Sequence, residues 1–187
     1  MYNKNLIDGF NVNQHSIKPD CQSCTEAKQT SNPFLKESGK KMMKKGELTH
    51  IDLVGPMNVM SLNGNSYFLT LVDDATCYVT AKPLKTKKDA TQAIRDYGTY
   101  LEAQNIHIHA LFRCNRGKEF LNVESEQWCK EKGIELQLTA PFLPSQNGVA
   151  ERMNQTLVEL ARTMMIARDI PKFLWESTVE HAAYVRN

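Results

Sequence analysis

Asp52 stands inside the short apolar run from Leu48 to Val54, between Ile51 and Leu53, and Glu151 opens a long helical pattern just after the loop "APFLPSQNG". Successive side chains of a strand point to opposite faces, so Asp52 faces away from both apolar neighbours. A mid-strand carboxylate costs stability unless something pairs with it, which leaves two readings: a hydrogen bond to a neighbouring loop, or a role as a ligand. Glu151 has its own alternative, because the helix dipole favours acidic residues in a first turn. Two-metal phosphodiester chemistry requires carboxylates from separate elements to converge on divalent cations that polarise the phosphate and activate the attacking oxygen. Position 115, directly after another strand-like run, completes that layout. It holds an amide, Asn115, in "RCNRGKEF".

The elements that must position these residues follow from the pattern of the chain. "LTHIDLVGP" is a strand stopped by Gly55 and Pro56. Asn63-Gly64 is a hairpin turn signal, and "SYFLTLVDDA" and "CYVTAKPL" beyond it are rich in β-branched and aromatic residues, giving three antiparallel strands. "TKKDATQAIRDYGTYLEAQ" is an amphipathic helix capped by Thr86, with Ala90, Ile94, Tyr97 and Leu101 on one stripe. "HIHALFR" is a fourth strand, "SEQWCKEKG" a helix and "IELQLT" a fifth strand. A long helix from Val149 to about Asp169 and a last one from Pro171 close the chain. The order β-β-β-α-β-α-β-α-α predicts an α/β domain with a five-stranded mixed sheet flanked by helices.

The 187 residues, 41% hydrophobic, suffice for one substantial core and an N-terminal appendage, with boundaries at 1–46 and 47–187. The formal charge of +2 provides no global field toward nucleic acid or membrane, so a polyanion site must be local. Lys36, Lys40, Lys41, Lys44 and Lys45 crowd one polar segment, which reads first as a solvated linker. Five cysteines without a signal peptide argue against a disulfide framework, and no apolar stretch reaches the roughly 20 residues that span a bilayer. A soluble, intracellular protein with no membrane partner is expected.

"HIDLVGPM", "YFLTLVDDAT", "RCNRGKEF" and above all "TAPFLPSQNGVAERMNQTLVELARTMM" resemble the catalytic core of copia-type retrotransposon integrases, of the retroviral integrase superfamily. The resemblance runs from about Leu48 to Asn187 and implies an RNase H-like fold, nuclear action, two Mg or Mn ions and an Asp, Asp, Glu triad. Asp52 matches its first member and Glu151 its third. The second falls on Asn115, and the 35 residues between Asn115 and Glu151 are the family's spacing. "CQSCTEAKQTSNPF" resembles the end of the family's zinc-binding module, with Cys21 and Cys24 as half of a Zn site whose histidines lie further upstream. A closed tetrahedral site needs two more ligands than this pair supplies.

An amide keeps the carbonyl oxygen and size of aspartate but not its charge. If the lost ligand is worth about 4 kcal/mol in the transition state, the rate falls roughly a thousandfold. The expectation is a folded core whose metal site is held by Asp52 and Glu151 alone, with impaired 3'-end processing and strand transfer. Arg116, Lys118, Gln146, Asn147 and Arg152 are the expected DNA contacts. The arginines and lysine would hold phosphates, while Asn147 has the plainer alternative of serving the turn before Gly148. The resemblance further implies DNA ends and target DNA as partners, RNA as a second nucleic acid, and a homo-oligomer. The competing reading is a binding or assembly module of a decayed or repurposed element. The start and end of the chain point to a fragment of a longer polyprotein.

Overall fold

The computed structural model describes residues 44–187 apart from 107–110, 116, 118–119, 121–122 and 140–146. The chain divides into two units, Met1–Gly39 and Lys40–Asn187, and the described residues belong to the second. Its strands are β1 (Leu48–Val54), β2 (Tyr67–Asp73), β3 (Val79–Leu84), β4 (Leu111–Cys114) and β5 (Glu135–Leu138). Its helices are α1 (Ala90–Ala103), α2 (Val123–Lys132), α3 (Gly148–Ala167) and α4 (Trp175–Arg186). The strands form one sheet in the order β3-β2-β1-β4-β5. β1, β2 and β3 pair antiparallel, while β4 and β5 are added parallel to β1, as the element order predicts.

Alternation along the strands sorts the core into two layers. Ile51, Leu69, Leu71, Phe112 and Cys114 pack with the α1 stripe of Ala90, Ile94, Tyr97 and Leu101. Phe68, Val72, Val79 and Ala81 meet Met153, Leu157 and Ala161 of α3 and Trp175, Val179 and Ala182 of α4. His50 and Asp52 fall on this second face. His50 is buried and its Nε2 lies 2.9 Å from Asp74 Oδ1. Asp73 accepts from the Gly46 and Thr76 N–H groups and from the Thr76 hydroxyl, so it closes the strand end.

The segment between β1 and β2 departs from the expected tight hairpin. Gly64 has φ +81 and bonds back to the Ser61 carbonyl, so the turn forms, but β1 stops at Val54 and β2 begins only at Tyr67. Gly55 causes the stop: at φ +130, a Cβ there would meet Ser66 O and the Tyr67 ring at 2.7 Å each. The freed loop is tied to α4. Glu176 accepts from Ser61, from Asn65 at 2.9 Å and from Asn63 at 3.1 Å, and the Trp175 indole donates to Val59 O at 2.9 Å. Burial acts to raise the Glu176 pKa, but the three hydrogen bonds outweigh it and the carboxyl sits below its ordinary range.

Candidate functional site

Register places the C-terminal ends of β1, β3, β4 and β5 on one rim of the sheet. Val54 pairs with Phe68, Tyr67 with Leu84, His50 with Arg113 and Cys114 with Leu138. Continuing the β1–β4 register brings Asn115 level with Asp52. α3 starts at the same rim because its first residues are stitched to β1 by side-chain amides.

Asp52 is the hub. Its Oδ1 accepts from Asn115 Nδ2 at 3.2 Å and its Oδ2 from Asn154 Nδ2 at 2.7 Å. Asn154 Oδ1 in turn accepts from the Thr70 hydroxyl, and Thr70 stands opposite Asp52 in the β1–β2 register. The orientation of each amide follows from its partners. An ionised carboxylate only accepts, so both NH2 groups must face Asp52. The Asn115 oxygen is taken by the Gly117 N–H at 3.0 Å, an Asx turn that holds the amide in place. Bonds to a charged acceptor are stronger than neutral ones, and both Asp52 oxygens are engaged this way.

Glu151 is exposed on the first turn of α3. It precedes Asn154 by three residues, so the two share a helix face and Glu151 lies one turn, about 5 Å of rise, from the residue that grips Asp52. Arg152 is exposed beside it, and its guanidinium folds back over the α3 start: a Cβ on Gly148 would lie 3.0 Å from Nη1. Asn147, expected among the DNA contacts, is buried at 2% exposure and donates to Ile51 O at 3.1 Å. Its side chain joins α3 to β1 and does not face solvent. Arg116, Lys118, Gln146, Cys21 and Cys24 lie outside the described residues.

The set does not fit a pair of divalent cations as it stands. A cation shared between Asp52 and residue 115 would meet the hydrogens of an amide where a carboxylate would offer lone pairs. Among the described residues no group of three His, Cys, Asp or Glu side chains could hold a metal ion. Of the expected ligands Asp52 and Glu151 are the anionic ones, and Asn115 and Asn154 each donate a hydrogen bond to Asp52.

Asn154 and Thr70 escaped the sequence reading. The available signal was positional: a polar residue one turn after Glu151, on a helix face otherwise buried through Met153 and Leu157, opposite a polar residue in the apolar β2.

The integrase core domain family model matches residues 43–144. The retrovirus-related Pol polyprotein from transposon TNT 1-94 of Nicotiana tabacum is 35% identical over 172 residues, covering 92% of this chain and 13% of that protein. The transposon Ty1-DR6 Gag-Pol polyprotein of Saccharomyces cerevisiae is 27% identical over 194 aligned positions, covering 98% of this chain and 11% of that one. The chain therefore spans about an eighth of the relatives' length. Among solved structures, the simian T-cell lymphotropic virus intasome in complex with PP2A regulatory subunit B56 gamma contains a chain that superposes with a TM-score of 0.67. That match has 17% identity and covers 88% of this chain and 56% of the other, so it bears on the fold, which is RNase H-like.

Proposed function

Because the chain belongs to the integrase core domain family, we propose that it is the DNA-holding core of a transposon Pol polyprotein whose strand-joining chemistry is suppressed at residue 115. The resemblance implies DNA integration with two divalent metals, Mg or Mn, which would polarise the phosphate when bound. The observation that carries the reading is the hydrogen bond from Asn115 to Asp52. It replaces a carboxylate that would repel Asp52 in the metal-free state with an amide that satisfies it. The domain keeps the strand and helix ends that would frame the site and gives up the second of its three anionic ligands.

DNA would be held through its phosphates by Arg152 at this rim, with Arg116, Lys118 and Gln146, which lie outside the described residues, as the further expected contacts. Asn147 serves the holding indirectly, by fixing where α3 begins. Assembly as a homo-oligomer is part of the same proposal, supported by the intasome to which the fold is similar. A binding or assembly module without chemistry is the form this takes if the suppression is complete.

The test uses a labelled duplex with the unaltered chain and with Asn115→Asp. The parent is expected to bind in a salt-dependent manner and to yield little or no joined product with magnesium or manganese, while the revertant joins strands. Product from the parent equal to that of the revertant would overturn the proposal.

A further inference from the structure

A cavity of about 160 Å³ lies where the start of β1 and the β2–β3 turn meet the last turn of α1. Asp73 stands level with Thr49 in the β1–β2 register, so its side chain is on the α1 face of the sheet, opposite the face of Asp52. The Asp73 carboxylate is 4% exposed and forms part of the cavity wall. Its Oδ1 accepts from the Gly46 N–H at 2.8 Å, and its Oδ2 from the Thr76 N–H at 2.8 Å and the Thr76 hydroxyl at 2.6 Å. A carboxylate has about four acceptor positions, so among the described residues Oδ1 keeps one without a donor.

The other walls add to this negative character. Tyr97 lines the cavity from the buried side and Tyr78 and Tyr100 from the exposed side. Burial pushes the Tyr97 phenol up to about 12, the Thr49 hydroxyl beside it lowers it, and the charge of Asp73 raises it further. Tyr100 and Gln104 come from the end of α1, the negative end of the helix dipole, and the last turn carries no basic residue. The one cation in the lining is Lys45, which is exposed. A simple anion would meet Asp73, and a simple cation would meet Lys45. A ligand with two separated charges suits both.

Drug-sized ligands occupy clefts of roughly 300–1,000 Å³, so this volume suits a molecule no longer than one extended side chain. We propose that the cavity binds a guanidino acid, its guanidinium directed at Asp73 among the tyrosines and its carboxylate at Lys45. A guanidinium is favoured over an ammonium because it is planar, weakly hydrated and stacks on aromatic rings. A free ω-guanidino acid and the C-terminal arginine of a peptide share this chemistry. The site lies on the α1 face of the sheet and does not depend on the DNA-holding function proposed above.

The experiment follows amide chemical shifts of the full 187-residue chain during four titrations. The ligands are γ-guanidinobutyrate, the uncharged γ-ureidobutyrate, butylguanidinium, which lacks the carboxylate, and a short peptide ending in arginine. The ligand series tests Asp73 without a substitution, because the bonds of Asp73 hold the strand end. γ-Guanidinobutyrate is expected to move the Gly46, Tyr100 and Gln104 signals, to leave that of Asn154 in place, and to bind at least about tenfold more tightly than the ureido compound. Lys45→Ala should weaken γ-guanidinobutyrate by about two- to fivefold and leave butylguanidinium no weaker. Tyr78→Ala/Tyr100→Ala, at two exposed positions, should weaken both guanidinium ligands by about threefold or more. Tighter binding of the peptide would assign the site to a protein terminus, and tighter binding of γ-guanidinobutyrate to a free metabolite; either result supports the proposal. Equal affinity for the guanidino and ureido compounds, unchanged affinity in the tyrosine variant, or no shift at these three residues would overturn it.

Discussion

Asn115 donates a side-chain hydrogen bond to Asp52 across 3.2 Å, so the amide at 115 satisfies one oxygen of the carboxylate that stands level with it across the β1–β4 register. The energetic sense is clear. A carboxylate at 115 would confront Asp52 at hydrogen-bond distance with no proton between them, whereas the amide provides one.

The second grip on Asp52 makes a prediction about stability. Asn154 joins Asp52 to Thr70 inside the sheet–helix layer, and all three depend on its two-ended amide. Asn154→Ala is expected to strip a carboxylate oxygen and a buried hydroxyl of their partner, costing about 1–3 kcal/mol in urea denaturation. Adding Thr70→Val to that variant should cost less than it does in the parent, with a coupling of about 0.5 kcal/mol or more. Additive losses would show that the network does not act as a unit.

Tyr97 predicts how the fold fails in alkali. Burial pushes its phenol from 10.0 up to about 12, the Thr49 hydroxyl beside it offsetting only part of the shift. Above pH 10 the unfolded chain releases this proton and the folded chain keeps it, so stability falls as pH rises from about 10 to about 12. The slope from this group is at most ~1.4 kcal/mol per pH unit. Tyr97→Phe should flatten the decline in a pH series of denaturant midpoints. An unchanged decline would assign the alkaline loss to other groups.

The fold was legible because its signals are local and mutually consistent. Alternation in Leu48–Val54 and the stripe Ala90, Ile94, Tyr97, Leu101 each fix a face, and the glycine-proline stop after Val54 fixes an end. The β1–β2 connection was misread as a tight hairpin because Asn63-Gly64 does form its turn. What holds that turn away from the strands is Glu176, 113 residues from Asn63 in the chain, and no local pattern encodes such a contact.

At the site, Asp52 and Glu151 were visible from their elements, and Asn115 from its register once the family pattern was recognised. Asn147 was expected to touch DNA because the resemblance implies contacts from the loop and helix start that hold it. Its burial depends on where α3 docks on β1, which only the assembled sheet decides. Asn154 was hidden for the opposite reason: a buried asparagine in a helix resembles a surface residue until Thr70 and Asp52 are seen on either side of it.

The central claim is that the amide at 115 disables shared cation binding while stabilising the metal-free domain, and thermal melting of the parent beside Asn115→Asp tests it most directly. Without divalent ions the revertant should melt lower, by the few degrees that about 1 kcal/mol represents in a domain of this size. With magnesium or manganese added, the revertant should gain markedly while the parent barely moves. A metal-induced shift in the parent as large as that in the revertant would contradict the account.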